Sequence, residues 1–191
     1  MLVSLPNRSQ QKGRDTMSSA AEESSHLDLH PAVHIGHVHL RVGDLERATA
    51  FYRDVLGFEV TAHGSDFGLP GAAFLAAGDY HHHIGLNTWQ SEGGTPPPEG
   101  HTGLFHFAIL YPERRELARA VERLLERGYP IGSAEDHGAT VSVYLSDPDG
   151  NGIELTYDRP RKEWVDSRGN RNIKAEPFDP RDLLVESGPS S

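Results

Sequence analysis

The stretch Ser146-Asp147-Pro148-Asp149-Gly150-Asn151-Gly152-Ile153-Glu154-Leu155 decides the reading of this chain. A Pro/Gly turn delivers a short apolar strand that carries a carboxylate between two branched apolar residues. An unpaired buried carboxylate is expensive, so Glu154 in such a setting asks for compensation by a metal, a cation or hydrogen-bond donors. A surface strand with the carboxylate in water is the commoner setting for a Glu. The metal-ligand alternative gains its interest from two histidines elsewhere, His37 and His106.

Outward from that turn, the second half of the chain reads as β-α-β-β-β. Leu104-Phe105-His106-Phe107-Ala108-Ile109 is a strand, Pro112 opens a helix with Leu117, Val121, Leu124 and Leu125 on its apolar face, and Gly128 closes it. Residues 131–133, 140–145 and 153–157 supply three more strands. The first half repeats the order. His37-Val38-His39-Leu40-Arg41-Val42 alternates as a strand, and Asp44 caps a helix with Leu45, Ala48, Tyr52 and Leu56 on one face. Gly57 stops this helix, and strands follow over residues 58–60, 72–76 and 83–86. Residues 90–103 contain three consecutive prolines and four glycines and form the linker.

The repeat has a fixed offset: 69 residues separate His37 from His106, and the same 69 separate Gly85 from Glu154. A histidine heads each half and an Ile-x-Leu triplet closes it, which marks a duplicated module. The organisation expected is a flexible tail over residues 1–30, with Met17 as an alternative start, a core domain over 33–160 built from modules 34–90 and 103–159, and an irregular arm over 161–191. The arm carries Trp164, Phe178, Leu183 and Leu184 as isolated apolar anchors. It is expected to cover a cavity mouth or to exchange across a homodimer.

Composition narrows the chemistry. Among 191 residues there are twelve histidines and no cysteine, so disulfides and thiolate chemistry are excluded and any metal must be held by imidazole, carboxylate or water. A net charge of -10 argues against nucleic acid or an anionic membrane as partner. No run of roughly 20 apolar residues and no secretory leader pattern is present, which points to a cytoplasmic protein.

Pairing of the modules about a pseudo-twofold axis would bring His37, Gly85, His106 and Glu154 around one centre. Two imidazoles and one carboxylate on one face of an octahedral ion leave three positions open, an arrangement suited to Fe(II), with Mn(II) equally acceptable to the donor set. Against this stands the ordinary fate of a lone strand histidine, which is surface exposure or a structural hydrogen bond.

These residues carry a resemblance. Gly36-His37-Val38-His39-Leu40, Ala50-Phe51-Tyr52-Arg53-Asp54-Val55-Leu56-Gly57-Phe58, Tyr80-His81-His82-His83-Ile84-Gly85-Leu86-Asn87, Leu104-Phe105-His106-Phe107-Ala108 and the Asp147 to Leu155 stretch are similar to the vicinal oxygen chelate superfamily. Within it the chain resembles the type I extradiol dioxygenases of the catechol 2,3-dioxygenase-like branch. The resemblance implies an α+β fold in which two paired βαβββ modules form an eight-stranded open cup around a metal site. It implies His37, His106 and Glu154 as iron ligands, His82 as acid/base, Tyr144 as hydrogen-bond partner of the substrate oxygen, and His137 as a further active-site histidine. Implied substrates are a small aromatic diol and dioxygen.

Strand parity works against His82, because alternation from an inward Gly85 would turn His81 and His83 inward, so His83 stands as the alternate acid/base. Tyr144 also reads as a core aromatic with a satisfied hydroxyl, His137 as a turn residue beside Gly138, and His39 as either support for His37 or barrel packing. Two other functions share the scaffold. A glyoxalase-type isomerase or lyase generally takes a fourth ligand from the position of Gly85, which glycine cannot supply, and a metal-free binding protein would have no use for the His81-His82-His83 run.

Overall fold

The computed structural model describes residues 29–185. The chain divides into two compact units, residues 1–34 and 35–191. Of the first, residues 29–34 are described, and they hold a turn closed by the Val33 amide on the His30 carbonyl at 2.9 Å. The expected tail over residues 1–30 and the alternative start at Met17 otherwise lie outside the described residues.

The second unit begins with β1 (Val38–Arg41) and α1 (Leu45–Ala50), where the Asp44 carboxylate caps the helix by accepting from the Arg47 amide at 3.0 Å. The helix widens into a π turn over Phe51–Val55, with the Leu56 amide reaching back five residues to the Phe51 carbonyl at 3.2 Å. Within that turn two successive aromatics, Phe51 and Tyr52, are both buried. Gly57, at φ 87°, ends it. Strands β2 (Glu59–His63), β3 (Ala72–Ala76) and β4 (Ile84–Asn87) complete a four-stranded sheet in the order β1-β4-β3-β2, with β1 and β4 parallel.

The second half repeats the plan. β5 (Phe107–Tyr111) leads through α2 (Arg114–Glu126) to β6 (Ser133–Gly138), β7 (Thr140–Ser146) and β8 (Gly152–Asp158), and again the first and last strands pair in parallel. Leu117, Val121 and Leu124 on α2 are fully buried, whereas Leu125 is 37% exposed and sits at the margin of the apolar stripe. Strands begin later than the sequence suggests, so His37 and His106 each stand one residue ahead of β1 and β5. No helix among the described residues is long and apolar enough to cross a membrane.

Two expectations need correction. Among the described residues the two sheets hold four and five strands, nine where eight were expected, because the arm after Pro160 is not irregular throughout. Its residues Ile173–Pro177 form β9, which pairs antiparallel with the outer edge of β6 and gives the order β5-β8-β7-β6-β9. A short helix, α3 (Asp182–Val185), then buries Leu183 completely. The missed strand has no apolar alternation, Ile173 being 76% exposed, so its order comes from backbone pairing with an open sheet edge, which leaves no trace in side-chain pattern.

One buried polar centre ties the halves together. Asp147, 4% exposed, accepts from the Tyr52 hydroxyl at 2.9 Å, the Asp149 and Asn151 amides at 2.9 and 2.8 Å, and the Asn151 side-chain amide at 2.8 Å. Next to it Asp149 accepts from the Gly43 amide and from Arg47, each at 2.7 Å. Tyr52→Phe deletes a hydrogen bond to a charged group, so stability should fall by about 1.5–3 kcal/mol, visible in a denaturant melt as a lower midpoint with unchanged slope. Leu183→Ala should cost about 2–5 kcal/mol in the same assay, the loss expected of a packed core leucine; a cost near zero would mean that α3 is not seated on the body.

Candidate functional site

Strand alternation puts one row of the second sheet on a common face: Ala108, Glu154, Tyr144 and Ser133 stand opposite one another across β5, β8, β7 and β6. Glu154 is neither free in water nor uncompensated. Its side chain is 15% exposed, its Oε2 lies 3.1 Å from His106 Nε2, and its Oε1 accepts from the Tyr144 hydroxyl at 3.1 Å. Burial, followed by the Glu154 charge, pushes the Tyr144 hydroxyl up to about 12, so it stays protonated at neutral pH and remains a donor. His137 lies within β6 rather than in a turn, and its Nε2 is 2.8 Å from the Tyr144 oxygen. Phe105, His106, Ser133, Glu135 and Tyr144 line a cavity of about 400 Å³ over this row.

His106 is held beside Glu154 by a close backbone approach. A Cβ at Gly152 would lie 2.1 Å from the Phe105 carbonyl oxygen and 3.0 Å from His106 Cβ, so only glycine lets the two segments pass at this separation.

The matching row of the first sheet is His39, Gly85, Phe74 and Ala62. Its chemistry is the converse. Gly85 offers no side chain, and the His39 ring occupies the space instead, with Cγ and Nδ1 only 3.0 Å from where a Cβ would be. In the second module the same two positions hold Ala108 and Glu154, so bulk and polarity have changed strands between the halves. His39 packs edge-on to Phe74 at 6.0 Å and against Trp89 at 5.8 Å, and its imidazole pKa is lowered by burial and then by His37.

His37 stands beside His82, ring centroids 4.5 Å apart. The parity conflict over His82 dissolves because β4 starts at Ile84, leaving residues 81–83 outside strand alternation. His82 turns towards His37 and Phe74, with Nδ1 2.8 Å from His81 Nδ1, while His83 packs on Tyr80 and accepts the Ala77 amide at 3.3 Å. Burial, then the neighbouring His37, His81, His39 and His83, lower the His82 pKa and favour its neutral ring.

The structure therefore gathers two clusters, His106, Glu154, Tyr144 and His137 on the second module and His37, His82 and His39 on the first. Two ligand atoms about 2.1 Å from an ion and at right angles to each other sit about 3.0 Å apart, so the His106 and Glu154 donors have the spacing of one edge of a coordination shell. Nitrogen and oxygen donors of this kind fit a divalent ion. Among the described residues, no three His, Asp or Glu side chains are gathered so as to hold one.

Sequence reasoning missed two features of this neighbourhood. The His39 ring over Gly85 was open to inference, since His39 shares a strand face with His37 and pairs by register with the glycine. The carbonyl of Lys174 on β9, 3.2 Å from His137 Nδ1, was not, because a backbone acceptor has no residue-type signal.

The family described as Glyoxalase/Bleomycin resistance protein/Dioxygenase superfamily matches residues 34–155. Catechol-2,3-dioxygenase from Bacillus subtilis (strain 168) is 39% identical over 165 residues, 84% of this chain and 54% of that protein. Biphenyl-2,3-diol 1,2-dioxygenase 3 from Rhodococcus globerulus is 33% identical over 125 residues, 65% of this chain and 63% of that one. The chain thus spans between half and two thirds of the length of these relatives. Among solved structures, lactoylglutathione lyase from Agrobacterium tumefaciens aligns with a TM-score of 0.51 at 27% identity, over 67% of this chain and 96% of that one. A glyoxalase/dioxygenase from Nostoc punctiforme aligns with a TM-score of 0.55 at 23% identity, over 70% and 97%, and shows the fold alone. With a family match across both sheets and the duplicated βαβββ plan, the chain belongs to the glyoxalase/bleomycin resistance protein/dioxygenase superfamily.

Proposed function

We propose that the protein is an extradiol ring-cleaving dioxygenase that holds Fe(II), or alternatively Mn(II), on His37, His106 and Glu154 and inserts dioxygen into a small catechol-type aromatic diol. The observation that carries the reading is the pairing of His106 with Glu154 at ligand spacing in one module, set against the absent side chain of Gly85 at the equivalent position of the other. Kinship to catechol and biphenyl-diol dioxygenases supports the same reaction class. The catalytic unit on this reading is residues 33–160, as modules 34–90 and 103–159. A glyoxalase-type lyase is the weaker reading, because the fourth-ligand position is vacated and the His39 ring that fills it is engaged with Phe74 and Trp89.

The chemistry a bound Fe(II) supplies is acidification of the diol hydroxyls and electron transfer from the ring to dioxygen. The remaining work falls to side chains of the chain itself. His82, favoured as a neutral imidazole, would accept a proton from the incoming diol and return it as the O–O bond of dioxygen breaks, with both oxygen atoms kept in the ring-opened product. Tyr144, kept protonated, offers its hydroxyl to the second diol oxygen and so fixes the ring's orientation. Phe74 and Trp89 give the first module an apolar, aromatic face suited to a flat ring, whereas the charged and hydroxylated groups stand on the second.

Anaerobic reconstitution with Fe(II), followed by catechol and then air, should yield the yellow ring-opened semialdehyde. Metal-loaded protein that leaves a panel of catechols intact and isomerises a hemithioacetal would overturn the proposal in favour of the lyase. Glu154→Ala should lower the iron retained through gel filtration by more than about tenfold, with the thermal melt of the metal-free protein unchanged or raised. Undiminished retention would remove Glu154 from the ligand set.

A further inference from the structure

Strand β9 reaches the site through the Lys174 carbonyl oxygen, 3.2 Å from His137 Nδ1. We propose that the Lys174 carbonyl fixes His137 as the Nδ1–H tautomer and thereby makes its Nε2 an acceptor for the Tyr144 hydroxyl, so that the C-terminal strand sets which hydrogen-bond outlets that phenol has. The proposal rests on the proposed role of Tyr144 toward the diol only for its catalytic consequence, not for the tautomer itself.

A carbonyl oxygen only accepts, so the 3.2 Å contact between His137 Nδ1 and the Lys174 oxygen requires the proton on Nδ1. In the neutral ring Nε2 is then a lone pair, and it points at the Tyr144 hydroxyl from 2.8 Å. Tyr144 has one proton and two acceptors, His137 Nε2 at 2.8 Å and Glu154 Oε1 at 3.1 Å. The proton can move between the two by rotation about the phenol C–O bond, breaking one hydrogen bond as the other forms. With the opposite tautomer, Nε2–H would itself be a donor towards Tyr144, Nδ1 and the Lys174 oxygen would face each other as two acceptors, and the phenol would lose its second outlet.

Several contacts hold the carbonyl in position. β9 lies along β6 with Glu135 opposite Pro177 and Asp136 opposite Glu176, and the register shifts between Asp136 and Gly138, the residues flanking His137. The Lys174 ammonium pairs with Asp136 at 3.0 Å and Glu176 at 2.7 Å, and Asp136 also pairs with Arg159 at 2.8 Å. A backbone irregularity next to a site side chain is a device for aiming that side chain. Here it aims the imidazole between a strand of the arm and Tyr144.

The test reads the ring directly. In the full-length, metal-free protein with 15N-labelled histidine, two-bond proton–nitrogen correlations report which ring nitrogen carries the proton, and the signal absent from His137→Gln assigns the residue. A protonated Nδ1 with an unprotonated Nε2 is expected; a proton on Nε2, alone or on both nitrogens, would overturn the proposal. An ester in place of the Lys174–Ala175 amide weakens that carbonyl as an acceptor, and the tautomer ratio should then shift towards Nε2–H by roughly two- to tenfold. An unchanged ratio in the folded ester protein would equally sink it. Since no metal, substrate or turnover enters these measurements, failure to cleave catechols would count against the proposed function and leave the tautomer assignment standing.

Discussion

The buried carboxylate of Asp147 is the contact on which the rest of the molecule depends. Withdrawing a charge from water is costly unless donors surround it, and here three backbone or side-chain N–H groups of its own turn and one phenol from the other module do so. The three local donors shape the turn that launches β8 and hence Glu154. The fourth, from Tyr52, ties that turn to the π-helical segment of the first module, so the position of the Glu154 strand and the packing of the two halves are set by the same group. Asp149 repeats the tie from the adjacent residue through Gly43 and Arg47.

On this frame a duplicated plan has divided its labour. Equivalent rows of the two sheets carry His39, Gly85 and Phe74 in one case and Ala108, Glu154 and Tyr144 in the other. The first row is aromatic and without formal charge when its imidazole is neutral, which the lowered His39 pKa favours. The second holds a carboxylate whose charge is met by a phenol and an imidazole. Neither row alone has both a flat apolar surface and a carboxylate met by hydrogen-bond donors.

Much of this was legible in the order of residues, for reasons that can be named. The duplicated plan shows because Asp44, Gly57 and Gly128 punctuate the helices and because a fixed offset links His37 to His106 and Gly85 to Glu154. Tyr144 was legible through the resemblance alone, and its hydrogen bond to Glu154 comes from the register of β7 and β8. What stayed hidden was what side-chain pattern does not encode. β9 is ordered by backbone pairing, the His137 contact on Lys174 is made to a carbonyl, and the π turn at Phe51 differs from an ordinary helix by one residue per turn. The His82 question turned on where β4 begins, and strand ends are set by tertiary context more than by local propensity.

Gly152 makes the two modules unequal in backbone as well as in side chains. Its missing Cβ admits the Phe105 carbonyl and brings His106 to Glu154, yet the position 69 residues earlier, the site's counterpart in the duplicate, is His83, which is turned away towards Tyr80. The first module therefore cannot reproduce the backbone crossing of the second by exchange of ligand residues alone. Moving the acidic position to the first module would also require remodelling the segment that leads into β4.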